Sequence, residues 1–249
     1  FSLPAVVFIK HNNPCGVAEN NDVLKAYRHA RNCDRLSAFG GIVAINREID
    51  LSLAKLIEKS GFLECIISPK LSLEALSVLK EKKNVRLLEL PSLLEQVEQL
   101  DFKRVSGGLL VQNDDALTLV EKNLKVVTKQ KPTPKEMEAL LFSWKVAKHT
   151  KSNAIVLARG AKTVGIGAGQ MSRVDAVFIA TKKADTLTSG SVLASDAFFP
   201  KEDAVTLAAK FNIQAIIQPG GSIADEQIIK TADKHHISMV FTGIRHFKH

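Results

Sequence analysis

The sequence predicts an α/β protein with largely parallel sheets buried on both faces. Short β-branched runs alternate with amphipathic helical stretches along the chain, the pattern of strand–helix–strand units. The runs lack a clean apolar–polar alternation, as expected of strands covered on both sides. The third observation is an internal echo. Cys65-Ile66-Ile67-Ser68-Pro69 returns 150 residues later as Ala215-Ile216-Ile217-Gln218-Pro219, and Gly40–Asn46 returns at the same spacing as Gly190–Asp196. Ala5–Lys10 is matched by Ala154–Arg159. The expected organisation is a first lobe over residues 1–90, a connecting segment over 91–150 and a second lobe over 151–249.

Strands are expected at Val6–Ile9, Ile42–Ile45, Glu64–Ile67, Val85–Leu88, Leu124–Thr128, Ala154–Leu157, Ser191–Ala194, Gln214–Ile217 and Ser238–Phe241, where β-branched and apolar residues run together. Helices are expected at Asp22–Arg31, Leu51–Lys59, Leu73–Lys82, Pro134–Lys148, Arg173–Ala184, Glu202–Lys210 and Ala224–His235, where one face is apolar. Ser172 and Asp175 resemble a capping box, with Asp in the place of Glu or Gln. Two like halves put a ligand between them, where strand carboxyl ends and helix N-termini converge.

Composition narrows the function. Of 249 residues 45% are hydrophobic, so the chain is neither disordered nor collagen-like. No apolar run reaches the ~18–20 residues of a membrane helix. The opening Phe1-Ser2-Leu3-Pro4-Ala5 has no signal-peptide pattern, and the missing initiator Met points to a fragment. Three cysteines at 15, 33 and 65 are too few and too scattered for a disulfide framework and fit a reducing cytosol. No Cys-x-x-Cys occurs, which argues against a cysteine metal site. The net charge of +8 favours anionic partners, but one Trp and one Tyr are few for stacking single-stranded nucleic acid. Small phosphorylated or carboxylated ligands account for the charge equally well.

Several loops are equipped for chemistry. Lys10-His11-Asn12-Asn13-Pro14-Cys15-Gly16 follows the first strand directly. A lysine offers a fixed cation, and its histidine neighbour titrates near neutrality; as plain structure, the same residues make a turn. A zinc-deaminase site needs Pro-Cys-x-x-Cys and His-x-Glu, but position 18 is Ala and position 13 is Asn, so that reading fails. Gly165-Ile166-Gly167-Ala168-Gly169-Gln170 reads as a glycine loop before a helix, with Gln170 where a dinucleotide fingerprint needs glycine. Pro219-Gly220-Gly221-Ser222 reads as a strand-to-helix loop with a Ser cap, able to hold an anion or only to turn the chain. Phe198 and Phe199 are core residues by default, though one beside a polar loop can stack on a planar ring. Arg245 lies in a basic tail, which is either frayed or positioned to bind a phosphate.

Lys10–Ala18, Ser37–Gly41, Lys151–Ala154, Gly165–Val174, Ala194–Pro200, Gln218–Ser222 and Arg245-His246-Phe247, in this order, resemble the family of bifunctional purine biosynthesis enzymes that combine AICAR transformylase with IMP cyclohydrolase. The resemblance spans essentially the whole chain, but only its transformylase part. The cyclohydrolase domain and an Arg-Tyr-Gly-Glu-Asn-Pro-His-Gln segment of the family have no counterpart here. The resemblance implies a three-layer α/β/α cytidine-deaminase-like fold, internally duplicated, in a cytoplasmic homodimer with active sites at the subunit interface.

It further implies formyl transfer from 10-formyltetrahydrofolate, as co-substrate, to the 5-amino group of AICAR, without a catalytic metal and with room for a structural monovalent cation. Carried over by motif, Lys10 resembles the transition-state stabiliser and His11 the proton acceptor. Gly40, Glu64, Asn153, Phe198 and Arg245 resemble AICAR contacts; Val174, Asp203, Ser222 and Ile223 resemble folate contacts. The implied role of Asn153 is to bond the carboxamide with both donor and acceptor atoms. Where the family commonly has Phe-Arg before the aspartate, this chain has Lys201-Glu202, which weakens the folate expectation at that edge. The partners implied are the two small-molecule substrates, with neither nucleic acid nor membrane. The alternative is a non-catalytic nucleotide-binding or dimerisation fragment that lacks the upstream nucleotide-holding segment.

Overall fold

The computed structural model describes residues 1–95 and 100–249; residues 96–99, part of the expected connecting segment, lie outside them. The first half runs β1 (Ala5–Lys10), β2 (Asn13–Glu19), α1 (Val23–Cys33), the single turn α2 (Arg35–Ala38), β3 (Gly41–Ile45), α3 (Leu51–Glu58), β4 (Leu63–Ser68), α4 (Leu73–Leu79) and β5 (Arg86–Glu89). A hairpin of β6 (Leu100–Val105) and β7 (Gly108–Asn113), the short β8 (Lys125–Val126) and the helix α5 (Pro134–Lys148) follow. The second half runs β9 (Ile155–Ala158), β10 (Thr163–Gly167), α6 (Arg173–Ala184), β11 (Val192–Ser195), α7 (Asp203–Lys210), β12 (Ala215–Gln218), α8 (Asp225–Lys234) and β13 (Ser238–Phe241).

The chain is mixed α/β, and its two main sheets share one strand plan. The first has the order β2-β1-β3-β4-β5 and the second β10-β9-β11-β12-β13, with β8 added at its edge. In each, a leading hairpin is antiparallel, the third strand is antiparallel to the first, and the last two strands are parallel to the third. The expectation of largely parallel sheets is corrected on this point. Its cause is two unforeseen strands. In β2, Asn13-Pro14 reads as turn chemistry, and β10 carries glycines at 165 and 167.

Those glycines serve close packing. A Cβ on Gly165 would lie 2.1 Å from the Ala180 carbonyl oxygen, and one on Gly167 2.0 Å from that of Ala176, both on α6. Gly16 of β2 meets the Ala30 carbonyl of α1 at 2.0 Å in the same way. Gly165–Gly167 is therefore strand pressed against a helix, and the loop expected over 165–170 is confined to Ala168-Gly169-Gln170 ahead of α6.

Helices α1, α3 and α4 cover one face of the first sheet, burying Phe8, Val43, Ile45 and Ile66 with Tyr27, Leu53 and Ile57. Helices α6, α7 and α8 cover the matching face of the second, around Ile155, Leu157, Leu193 and Ile216. The opposite face of the second sheet packs on α5 through Leu140, Trp144 and Ala147. That helix starts where its sequence dictates. Thr133 and Glu136 form a capping box, and Pro134 occupies the first turn, where its missing N–H costs nothing.

The lobes meet edge to edge. Val17 N donates to Thr163 Oγ1 at 2.9 Å, Thr163 Oγ1 donates to Val17 O at 3.1 Å, and Glu19 N donates to Ala161 O at 2.9 Å. Lys183 of α6 pairs with Asp34 at the end of α1. Among the described residues, no helix is long and apolar enough to cross a membrane.

Candidate active site

At the top of the second sheet, three elements converge on one buried group. The Asp196 side chain, just past β11, is fully buried. Its Oδ1 accepts from Arg173 Nη1 at 2.5 Å and from Ala154 N at 3.1 Å, and its Oδ2 accepts from Ser152 Oγ. Arg173, the first residue of α6, also donates from Nη1 to Ser195 Oγ at 2.7 Å and from Nη2 to Asn153 Oδ1 at 2.7 Å. A buried charge pair needs partners for its remaining polar atoms, and here both Asp196 oxygens and both terminal nitrogens of Arg173 have them. The result is a rigid platform beneath Asn153.

Asn153 is itself locked. Its Nδ2 donates to Gln170 O at 2.8 Å and to Met171 O at 3.2 Å, while Arg173 occupies one acceptor position of Oδ1. One Oδ1 lone pair therefore remains for a ligand, and both amide protons already have protein partners.

A cavity of about 380 Å³ opens above this platform, lined by Asn153, Arg173, Val174, Phe198, Lys201 and Asp203, with Phe247 from the C-terminal tail. Phe199 is the fully buried member of the aromatic pair and Phe198 the one that faces the cavity. Ser172 caps α6 by accepting from Asp175 N at 3.1 Å, but Asp175 Oδ2 accepts from the Ser172 hydroxyl at 2.6 Å and not from its backbone N–H, so the cap is present without the reciprocal half of the expected capping box. A second hollow, lined by Val174, Lys201, Asp203, Leu207 and Lys210, shares three residues with the first.

The first lobe presents a separate cluster at the end of β1. Lys10 Nζ donates to Phe39 O at 2.8 Å and to Gly40 O at 2.9 Å, leaving one N–H for a ligand. Gly40 sits at φ 64°, and a Cβ there would approach Lys10 Nζ to 3.1 Å. His11 and Asn12 form the β1–β2 turn with φ of 50° and 60°. Left-handed backbone is uncommon outside glycine and clusters at functional sites. His11 is exposed. Asn13 Oδ1 accepts from Lys151 N at 2.9 Å, tying this turn to the segment that carries Asn153.

The candidate residues therefore fall into groups. Asn153, Val174, Phe198 and Asp203 share the cavity; Lys10 and Gly40 share the first-lobe cluster, with His11 beside them. Lys10, His11, Gly40, Glu64, Ser222, Ile223 and Arg245 are not among the residues lining that cavity. Glu64 pairs with Arg86 at 2.7 Å on the first sheet. Ser222 Oγ accepts from Ala224 N at 3.1 Å, but α8 begins at Asp225 with Ala224 as its N-cap, so Ser222 lies two residues short of the cap position expected of it. Ile223 is fully exposed. The Arg245 guanidinium is exposed and lies 4.5 Å from the Phe247 ring centroid, beside the cavity wall.

Arg173, Ser195 and Asp196 were missed from sequence. Arg173 follows the Ser172 cap and reads as the opening of a helix. The signal available was the repeat, since Asn46 and Asp196 correspond. The C-terminal tail is also held firmly: His246 is buried, its Nδ1 lies 2.5 Å from Asp115 Oδ2, and its backbone N donates to Asp196 O at 3.0 Å. Among the described residues, no group of three or more His, Cys, Asp or Glu side chains is gathered to hold a metal.

Comparison with known proteins places this architecture in a class. A model of the family described as the AICARFT/IMPCHase bienzyme matches residues 1–183, and the chain belongs to that family. It is 54% identical over its full length to the bifunctional purine biosynthesis protein PurH of Halalkalibacterium halodurans. It is 53% identical to PurH of Persephonella marina and 54% identical to PurH of Sorangium cellulosum, again across the whole chain. In each case it covers 48% of the relative, so the chain spans about half the length of the curated relatives it matches.

Proposed function

We propose that this chain supplies the transformylase half of such a bienzyme, moving a formyl group from 10-formyltetrahydrofolate to the 5-amino group of AICAR in purine biosynthesis in the cytoplasm. One observation carries the reading: Asn153, Val174, Phe198 and Asp203, dispersed in sequence, line a single cavity over a buried arginine–aspartate platform.

The amine of AICAR is a weak nucleophile, its lone pair delocalised into the ring and carboxamide. Alignment of two bound reactants removes entropy from the barrier. Phe198 offers a ring face to the imidazole, and the free Oδ1 lone pair of Asn153 accepts an N–H from the carboxamide or amine. His11 takes the amine proton as the C–N bond forms, a role worth about 10²–10⁴-fold. The free N–H of Lys10 stabilises the oxyanion on the formyl carbon, by roughly 3–4 kcal/mol in analogous sites. Arg245 holds the 5′-phosphate, with Gly40 and Glu64 on the nucleotide side. Val174, Asp203, Ser222 and Ile223 take the folate.

The turn residues His11 and Asn12 are exposed and neither lines the cavity, which supports a homodimer in which one copy's turn completes the other copy's cavity. The shared strand order supports an internally duplicated, cytidine-deaminase-like fold. A second reading, a nucleotide-binding or dimerisation fragment without catalysis, is favoured by the same separation of His11 from the cavity lining. Calorimetry with AICAR, joined to a formyl-transfer assay, separates the two. Binding with turnover supports the first reading, binding without turnover the second, and no binding overturns both.

A further inference from the structure

One charged contact between the lobes leads directly to the Lys10 cluster. Asp34 ends α1 and caps the single turn α2 that follows. Its Oδ1 accepts from Ser37 N at 2.9 Å and its Oδ2 from Ser37 Oγ at 2.7 Å. The same Oδ2 takes the ammonium of Lys183, a residue of α6 in the other lobe. Burial alone lifts the Asp34 carboxyl, but the bonds from Lys183 and Ser37 outweigh it and hold the group below its ordinary value. Asp34 is therefore charged near neutrality and serves both the turn and the other lobe.

The turn in question supports Lys10. A single helical turn has little stability of its own. The start of α2 is fixed by Asp34, through the Ser37 bonds and through Ala38 N, which donates to Asp34 O at 2.9 Å. Just beyond its end, the carbonyls of Phe39 and Gly40 accept from Lys10 Nζ at 2.8 and 2.9 Å. Where these acceptors stand depends on where α2 stands. The other arm is α6. Its first residue, Arg173, bonds Asp196 and Asn153 beneath the cavity. Lys183 lies near its far end, about 15 Å along the axis. A packed helix thus runs from the cavity platform to Asp34.

We propose that Lys183 and Asp34 are positioning residues for formyl transfer: through α2, the pair sets where the Lys10 ammonium stands and ties it to the helix that carries the cavity platform. This rests on the role proposed for Lys10. A partly exposed ion pair contributes little to stability. A displacement near 1 Å at a reacting group, by contrast, can cost about 10²-fold in rate.

A double-mutant cycle in the full-length enzyme tests this. Lys183→Met removes the charge and keeps most of the side-chain volume. Turnover is expected to fall about tenfold or more, with the KM for AICAR unchanged within about twofold, while Lys183→Arg keeps most of the rate. With Lys10→Met already in place, adding Lys183→Met is expected to cost less than about twofold, because Lys183 acts only through Lys10. Full turnover in Lys183→Met overturns the proposal. So does an equal loss in both backgrounds, which marks a role in folding alone. Full turnover in Lys10→Met removes Lys10 from the reaction and the proposal with it, so the two failures differ in which single variant keeps its rate. If Lys183→Met does not fold, Asp34→Asn, which can still accept from Ser37 N, takes its place in the cycle with the same expected and overturning results.

Discussion

Arg173 and Asp196 form a buried ion pair, 2.5 Å from Nη1 to Oδ1, and the guanidinium that makes it also fixes the Asn153 amide at 2.7 Å. The first lobe has no such pair: Asn46 occupies the place of Asp196, and Val23 that of Arg173. The candidate chemistry is therefore asymmetric although the strand plan is shared. Replacing Arg173 by Met strands a buried carboxylate, and stability should fall by about 3–5 kcal/mol. Urea unfolding measures this; a loss under 1 kcal/mol would remove the pair from the core of the site.

Close packing of β10 on α6 makes a second expectation. Gly167→Ala drives a methyl group to 2.0 Å from a helix carbonyl and should cost roughly 1–3 kcal/mol through forced backbone shifts. Gly108→Ala, in the exposed hairpin with open space around it, should stay within about 0.5 kcal/mol. Paired thermal melts compare them.

Stability should also depend on pH through His149. His149 keeps an exposed edge, but partial desolvation of its ring, followed by the nearby Lys248 and Lys148 charges, lowers its proton affinity below the ordinary imidazole value, an effect that solvent screening keeps small. The unfolded chain then binds the proton more readily than the folded one. The His149 contribution is intact above the unfolded value of about 6.5 and is lost as pH falls through that value toward the depressed folded one. Urea midpoints should therefore drop between pH 7.5 and 5.5, and His149→Gln should flatten that slope.

The order of helices and most strands was legible because apolar spacing and capping residues act locally: α5 and α6 span the residues that the sequence predicts. What was not legible depends on distant partners. The glycines of β10 owe their identity to helix carbonyls that sequence spacing does not reveal. Arg173 gains its role from Asp196 and Asn153, each about twenty residues away along the chain. The β6–β7 hairpin has apolar residues on exposed strands and lies in what sequence reading treats as connecting chain.

The C-terminal tail supplies another test. Asp115 holds His246, one residue before Phe247 on the cavity wall and one after Arg245. Asp115 is partly exposed, so Asp115→Asn should leave the fold intact. It should weaken AICAR binding several-fold by loosening the tail, as calorimetry can measure. An unchanged affinity would exclude the tail from the nucleotide site.

The central claim is that the imidazole of His11 removes the amine proton while the second-lobe cavity holds the nucleotide. The most direct measurement is formyl transfer and AICAR affinity for His11→Ala in the full-length enzyme. Turnover should fall by at least about 10²-fold, with AICAR affinity unchanged within about tenfold. Retained turnover would contradict the account.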